Sequence, residues 1–162
     1  MPPEPADRIA WQIAPGDLSD PAVIALLATH LHHARAETAQ GCAHALDVEG
    51  LRTPDIRFWT IHAGDDLAGC GALKRLSADH GEVKSMHTAA AWRGRGAGSA
   101  MLDHIAADAR RQGFARLSLE TGSWDYFRPA RALYARHGFV ACAPFGDYAP
   151  ERNSVFLTRA LD

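Results

Sequence analysis

Residues 91–106, AWRGRGAGSAMLDHIA, place three glycines and two arginines within six positions, directly ahead of an amphipathic helix pattern. A helix start exposes about four unpaired backbone N–H groups and carries roughly half a positive charge from its aligned peptide dipoles. Glycines ahead of such a start let successive N–H groups converge and let a bulky phosphate approach without a Cβ in the way. Gly94, Gly96 and Gly98 can do this, and Arg93 and Arg95 add charge-assisted donors. The stretch reads as a pyrophosphate cradle, with a glycine loop kept for tight packing as the plainer alternative. The Walker pattern is absent, because no lysine follows these glycines. A dinucleotide fingerprint would need a glycine where Ser99 stands, behind the first strand of a parallel βαβ unit. What remains is R-x-x-G-x-G, at Arg93, Gly96 and Gly98.

The surrounding periodicities assign the architecture. Ile9, Trp11 and Ile13 alternate as a first strand; Asp20 and Pro21 then open a helix expected to run to about Thr38, with Val23, Leu27, Leu31 and Ala34 at helical spacing. Residues 40–56 show no sustained period beyond a short helical turn in HALDVEGL. Two β-rich runs flank Gly64, Asp65 and Asp66, a second hairpin is expected around SADHG, and EVKSMHT leads out as a third antiparallel strand before the glycines. Ala97, Met101, Ile105 and Ala109 form a helical stripe that Gly113 ends. ARLSLETG is a strand, RPARALYARHGF a helix with Pro129 early and Gly138 at its end, and SVFLTRAL a closing strand. This order is that of an α/β mixed sheet, not a bundle or sandwich.

At 162 residues and 47% hydrophobic, the chain is long enough for one domain with a substantial core, residues 1–162, of which 1–7 are expected to be a flexible extension. A net charge of −2 provides no global field to recruit nucleic acid or an anionic membrane, so any anion site is local. Cys42, Cys70 and Cys142 lie too far apart for a CxxC metal site, and their odd number fits a reducing cytoplasm. No segment has a membrane-spanning apolar run.

Residues 85–123, SMHTAAAWRGRGAGSAMLDHIAADARRQGFARLSLETGS, followed by ARALYARHGFV, resemble motifs A and B of the GNAT superfamily of acyl-CoA-dependent N-acetyltransferases. With GCGALKRL, EVKSMHT and the tail, the chain is similar to a bacterial branch of small acetyltransferases whose acceptors are mostly unassigned. The resemblance implies a mostly antiparallel central sheet flanked by helices and splayed between the fourth and fifth strands. It also implies acetyl-CoA as cofactor, an amine of a small molecule or peptide as acceptor, and a tendency to homodimerise.

Carried over residue by residue, the resemblance implies that Met86, His87 and Thr88 pair through their backbone with the pantetheine arm. Amides across Arg93, Gly94, Arg95, Gly96, Ala97, Gly98 and Ser99 hold the pyrophosphate, Thr121 and Gly122 flank the thioester, and Ala130 and Leu133 line the cofactor's other side. Tyr134 takes the position whose phenol lies beside the cofactor sulfur, where it protonates or stabilises the leaving thiolate; it shares a helix face with Ala130 and Leu133, so a core tyrosine is the lesser alternative, and the two roles are compatible. An amine attacks only as the neutral base, so a proton acceptor is needed. Glu82, on the strand leading to the cradle, and Glu120, on the neighbouring strand, are the two candidates, each alternatively a solvated or ion-paired strand residue. His87 titrates in a useful range, but its side chain is expected to point away from the thioester.

His30, His32 and His33 in HLHH lack a cysteine or carboxylate set to complete a metal site and read as a solvated helix side. Family placement nevertheless brings His30 and His44 towards the acceptor, and Trp59, Trp124, Phe127, Phe145 and Tyr148 are either core or walls of the acceptor site. The turn-rich APFGDYAP segment is suited to close over that site. Two other functions compete with an acetyltransferase: a noncatalytic CoA-binding sensor, against which Tyr134 argues, and a nucleotide-binding oxidoreductase, disfavoured by the missing fingerprint glycine.

Overall fold

A computed structural model describes residues 9–35 and 47–162. The expected N-terminal extension, the end of the first helix near Thr38, Cys42 and His44 lie outside the described residues.

The elements are β1 (Trp11–Pro15), α1 (Pro21–Arg35), β2 (Ile56–Ala63), β3 (Asp66–Arg75), β4 (His80–Thr88), α2 (Ala97–Arg111), β5 (Arg116–Gly122), α3 (Arg128–Arg136), β6 (Val140–Ala141) and β7 (Ser154–Ala160). Local chemistry sets their ends. Asp20 Oδ1 accepts from the Ala22 amide at 2.9 Å, and Pro21 occupies the first turn of α1. Leu51 sits in the single helical turn that the sequence suggested between α1 and β2.

Among the described residues, seven strands form one sheet in the order β1-β2-β3-β4-β5-β7-β6, antiparallel except for the β4–β5 pair. Consecutive residues on β2 and β3 feed opposite faces. Trp59 and Leu73 join Met101, Leu102 and Ile105 of α2 in one cluster, whereas Phe58 and Ala72 join Val23, Leu26 and Leu27 of α1 in the other. The two helices therefore cover opposite faces of the sheet, and each fully buried leucine or isoleucine contributes about 1.5–3 kcal/mol. The two-residue β6 was not separable by periodicity, since one turn of alternation carries no signal. No described helix is long and apolar enough to cross a membrane.

The feature that positions the site is the β4–β5 junction. Parallel pairing holds only from His80↔Arg116 to Glu82↔Ser118, while β5 stays paired with β7 along its whole length. Beyond Glu82 the strands part, as expected from the resemblance, and the edge of β4 that faces β5 is left open.

Candidate active site

Two clefts meet where β4 and β5 part. The first lies between the end of β4, the start of α2 and α3, and is lined by Met86, His87, Thr88, Arg93, Gly94, Gly96, Ala97, Gly98, Ser99, Ala130, Leu133 and Tyr134. Gly96, which precedes α2, has φ 98° and ψ 3°, and Gly94 has φ 74°, both in the left-handed region that favours glycine. No described side chain caps this helix start and its first turn holds no acidic residue, which leaves its amides and its positive dipole end suited to an anion. At Gly98 a Cβ would come within 2.8 Å of a terminal methyl of Leu133, so a larger residue there would push that side chain of α3 away from the turn. Arg95 is the cradle residue that does not line this cleft; its guanidinium lies 5.1 Å from the Trp92 ring centre. Arg93 donates to the Tyr126 hydroxyl at 2.6 Å, and Tyr126 stacks on His33 at 4.1 Å, which links α1 to the mouth of the cleft.

The second cleft opens on the α1 side between the parted strands, and its lining includes His30, Glu82, Lys84, Ser85, Glu120, Thr121, Gly122, Trp124, Tyr148 and Asn153. Met86, Phe127, Ala130 and Tyr134 line both clefts. Thr121 and Gly122, expected beside the thioester, line the second cleft. Phe145 lines neither; it packs behind Tyr148, against His80 and Phe156. Trp59 is a core residue, the first of the two alternatives the sequence left open.

A bulge shapes the open edge of β4. Three steps on β4, from Lys84 to His87, oppose two on β3, from Ala72 to Cys70, and Ser85 takes φ 54° there. Gly69 makes room for the irregular strand, because a Cβ there would stand 2.6 Å from the His87 carbonyl oxygen. The Cys70 thiol donates to the Ser85 carbonyl at 3.2 Å.

Glu82 is 3% exposed and its Oε2 accepts from Tyr148 at 2.6 Å and from the Lys84 ammonium at 3.0 Å. Lys84 also donates to the Tyr148 hydroxyl at 3.0 Å, closing a three-membered cluster. Glu82 is thus ion-paired while it lines the cleft. Tyr134 is buried; loss of solvent, then the charge of Glu120, raises its phenol above the ordinary range. Tyr148 is raised by burial, by the Glu82 charge and by its hydrogen bond to that carboxylate.

The histidines correct the sequence reading. The HLHH segment was expected to be a solvated helix side, but His30 is buried against His87, their rings 5.2 Å apart. Residue 30 follows Val23, Leu26 and Leu27 on the apolar stripe of α1, which turns it inward. Burial pushes His30 down to about 4, with a smaller contribution from His33, and His87 down to about 3, with His30, Arg93 and His33 adding to burial. Both stay neutral near pH 7. The sequence reading also missed Lys84, although its position two residues from Glu82 on one strand places both on the same face. It missed Ser85 and Tyr126, whose roles come from a bulge and from a contact across 33 residues of chain.

A glycine-bounded helix start that opens onto an unpaired strand edge, with a buried phenol where the two clefts meet, is the arrangement an acyl-CoA-dependent transferase requires. The sequence profile of the acetyltransferase (GNAT) family matches residues 24–139, and the chain belongs to that family. The N-acetyltransferase YsnE of Bacillus subtilis (strain 168), itself uncharacterized, is 48% identical over 145 residues, 90% of this chain and 96% of its own. YedL of Escherichia coli (strain K12), likewise an uncharacterized N-acetyltransferase, is 44% identical over 93% of this chain and 95% of its own. A GNAT family acetyltransferase from Elizabethkingia anophelis, solved with acetyl-CoA bound, shares the fold at a TM-score of 0.68 and 17% identity, covering 93% of this chain and 98% of its own. The protein is an acyltransferase whose cofactor is acetyl-CoA.

Proposed function

We propose that the chain transfers the acetyl group to a primary amine, of a small molecule or an exposed peptide, by direct attack with both substrates bound. The observation that carries this reading is the junction of the two clefts at Met86, Ala130 and Tyr134. A cofactor lying in the first cleft and an amine in the second have one place to meet.

Acetyl-CoA, when bound, would supply the acetyl thioester that the amine attacks and the thiolate that leaves. The chain holds the pyrophosphate on the amides around Gly96 to Ser99, and the open edge of Met86–Thr88 receives the extended arm as an added strand. A backbone N–H at the Ser85 bulge, where the ladder is interrupted, would serve the thioester carbonyl. Glu82, fixed by Tyr148 and Lys84, takes the proton the amine sheds, and Tyr134, kept protonated by burial, donates its O–H to the departing sulfur. Glu120 shapes the field at both phenols. Thiol release from acetyl-CoA across an amine panel tests the reading. Turnover with at least one primary amine, lost in Tyr134→Phe while CoA still binds, is the expected result; CoA binding without thiol release for any amine refutes it.

A further inference from the structure

Three polar side chains form a chain behind the start of α2. Ser99, in the first turn of that helix, lines the first cleft, and its Oγ lies 2.8 Å from His137 Nε2. On the other side of the ring, His137 Nδ1 stands 3.5 Å from Oδ1 of Asp103, one turn further along α2 than Ser99. The backbone N–H of His137 donates to the Leu133 and Tyr134 carbonyls, which fixes the ring at the end of the helix that walls the cleft. Neither His137 nor Asp103 is among the lining residues, so their influence on a ligand there passes through the Ser99 hydroxyl.

The direction of these bonds depends on how many protons the ring carries. A carboxylate beside Nδ1 favours the tautomer with its hydrogen there, which leaves Nε2 bare and makes it the acceptor of the Ser99 O–H. The serine has then spent its one donor on the histidine, and only lone pairs remain for a phosphate oxygen. A ring protonated on both nitrogens reverses the bond. Nε2–H donates to Ser99 Oγ, and the hydroxyl hydrogen is released to an anion at the helix start. The added proton comes from solvent and forms the Nε2–H bond, while Ser99 keeps its own.

The surrounding charges are of both signs. Asp103 is largely exposed and screened, so it orients the ring more than it holds a charge there. Arg136 precedes the ring on α3 and lines the cleft, and the Arg159 side chain of β7 comes within 3.8 Å of where a Cβ on the next residue, Gly138, would stand. A pyrophosphate at the helix start adds negative charge to this set, and that favours the protonated ring. By reciprocity, the proton strengthens phosphate binding by the same factor.

Resting on the reading that the cofactor's pyrophosphate seats at the start of α2, we propose that Ser99 Oγ donates a hydrogen bond to that pyrophosphate. His137, oriented by Asp103, takes up a proton from solvent as the cofactor binds. His137 and Asp103 are positioning residues, and Ser99 is the binding residue they serve.

Calorimetric titration of CoA into the protein between pH 6.5 and pH 8, in buffers of different ionisation enthalpy, counts the protons taken up. The phosphate monoester of CoA titrates near the lower limit, and His87 and His33 lie at or near the cleft, so the comparison is with His137→Gln, which leaves all of these in place. Wild type should take up about half a proton more per CoA than the variant at some pH in this window. Because the bound state holds the extra proton, affinity is greatest at low pH. The wild-type dissociation constant, relative to the variant's, should therefore rise by about three- to tenfold from pH 6.5 to pH 8. Ser99→Ala, a mild change within a helix, should weaken CoA by about tenfold at pH 6.5 and also lose the extra uptake. Uptake that survives in either variant overturns the proposal. Gly96→Ala then separates it from the reading beneath: if that variant weakens CoA, the cradle stands without the relay, and if it binds CoA as wild type does, the pyrophosphate lies elsewhere.

Discussion

Replacing Gly96 with alanine tests the cradle at the point where backbone conformation and cofactor binding coincide. An L-residue held in the left-handed region costs about 1–2 kcal/mol, and φ 98° with ψ 3° lies well off the centre of that well, which puts Gly96 towards the upper value. The free protein relieves this strain by rotating the peptides around residue 96, and that moves the amides which face the pyrophosphate. Binding must then restore the strained geometry, so CoA affinity should fall by about 5–30-fold, the equivalent of about 1–2 kcal/mol. The steric cost is negligible, because the nearest atom to the new Cβ, Trp11 Nε1, is 3.8 Å away. Gly113, at the far end of the same helix, supplies the control: its φ is 83° and a Cβ there meets nothing within 4 Å. Gly113→Ala should lower the melting temperature by roughly 2–4 °C per kcal/mol of strain without changing the dissociation constant for CoA. Calorimetric titration with CoA, with thermal melts of both variants, reads the two effects separately. Equal losses of stability with an unchanged CoA dissociation constant in Gly96→Ala would show that the turn is a packing device and that no phosphate rests on it.

Three more perturbations address the chemistry and the buried histidines. Tyr134→Phe should lower kcat by about 100-fold or more while CoA affinity stays within about twofold; equal turnover would remove the phenol from the reaction. Glu82→Gln should lower kcat by a similar factor of about 100, and turnover that stays within about twofold would transfer the proton-accepting role to Glu120. His30 and His87 remain neutral in the fold to about pH 4 and about pH 3, whereas in the unfolded chain they bind protons near pH 6.5. The unfolded state thus holds more protons below pH 6.5, so stability should fall as pH drops from 6.5 towards 4, by about 2 kcal/mol per histidine at pH 5. Urea midpoints across that window measure the loss, His30→Leu should reduce the slope by about half, and a flat midpoint from pH 6.5 to 5 would contradict the burial of these rings.

Much of this arrangement was legible before any coordinates. The glycine and arginine spacing at 93–98, the stripe of α2 and the early Pro129 of α3 are local signals, and each element fell where local chemistry put it. The edges between elements were harder. Nothing in EVKSMHT shows that Ser85 takes a positive φ, because a bulge is imposed by the mismatch with the neighbouring strand. His30 looked solvated because it sits among other histidines, and only the rotation of α1 against the sheet decided which ring turned inward. The cluster of Tyr148 with Glu82 spans 66 residues, and no periodicity encodes a contact of that range. Arg95 lies within the expected cradle yet turns to Trp92, which shows that a motif fixes a backbone path more firmly than the direction of each side chain.

The three residue pairs that stitch β4 to β5 divide the sheet into two blocks, one carrying α1 and the hairpins, the other the β5–β7 ribbon. Such a seam is where the molecule can breathe with least loss, since only a short ladder must give way before the blocks swing apart. An occupant that hydrogen-bonds along the vacant side of β4 would act as a splint across this joint. The protein's mechanical coherence and its supply of acetyl-CoA would then be coupled, with amide exchange along Val83–Thr88 as the gauge of that coupling.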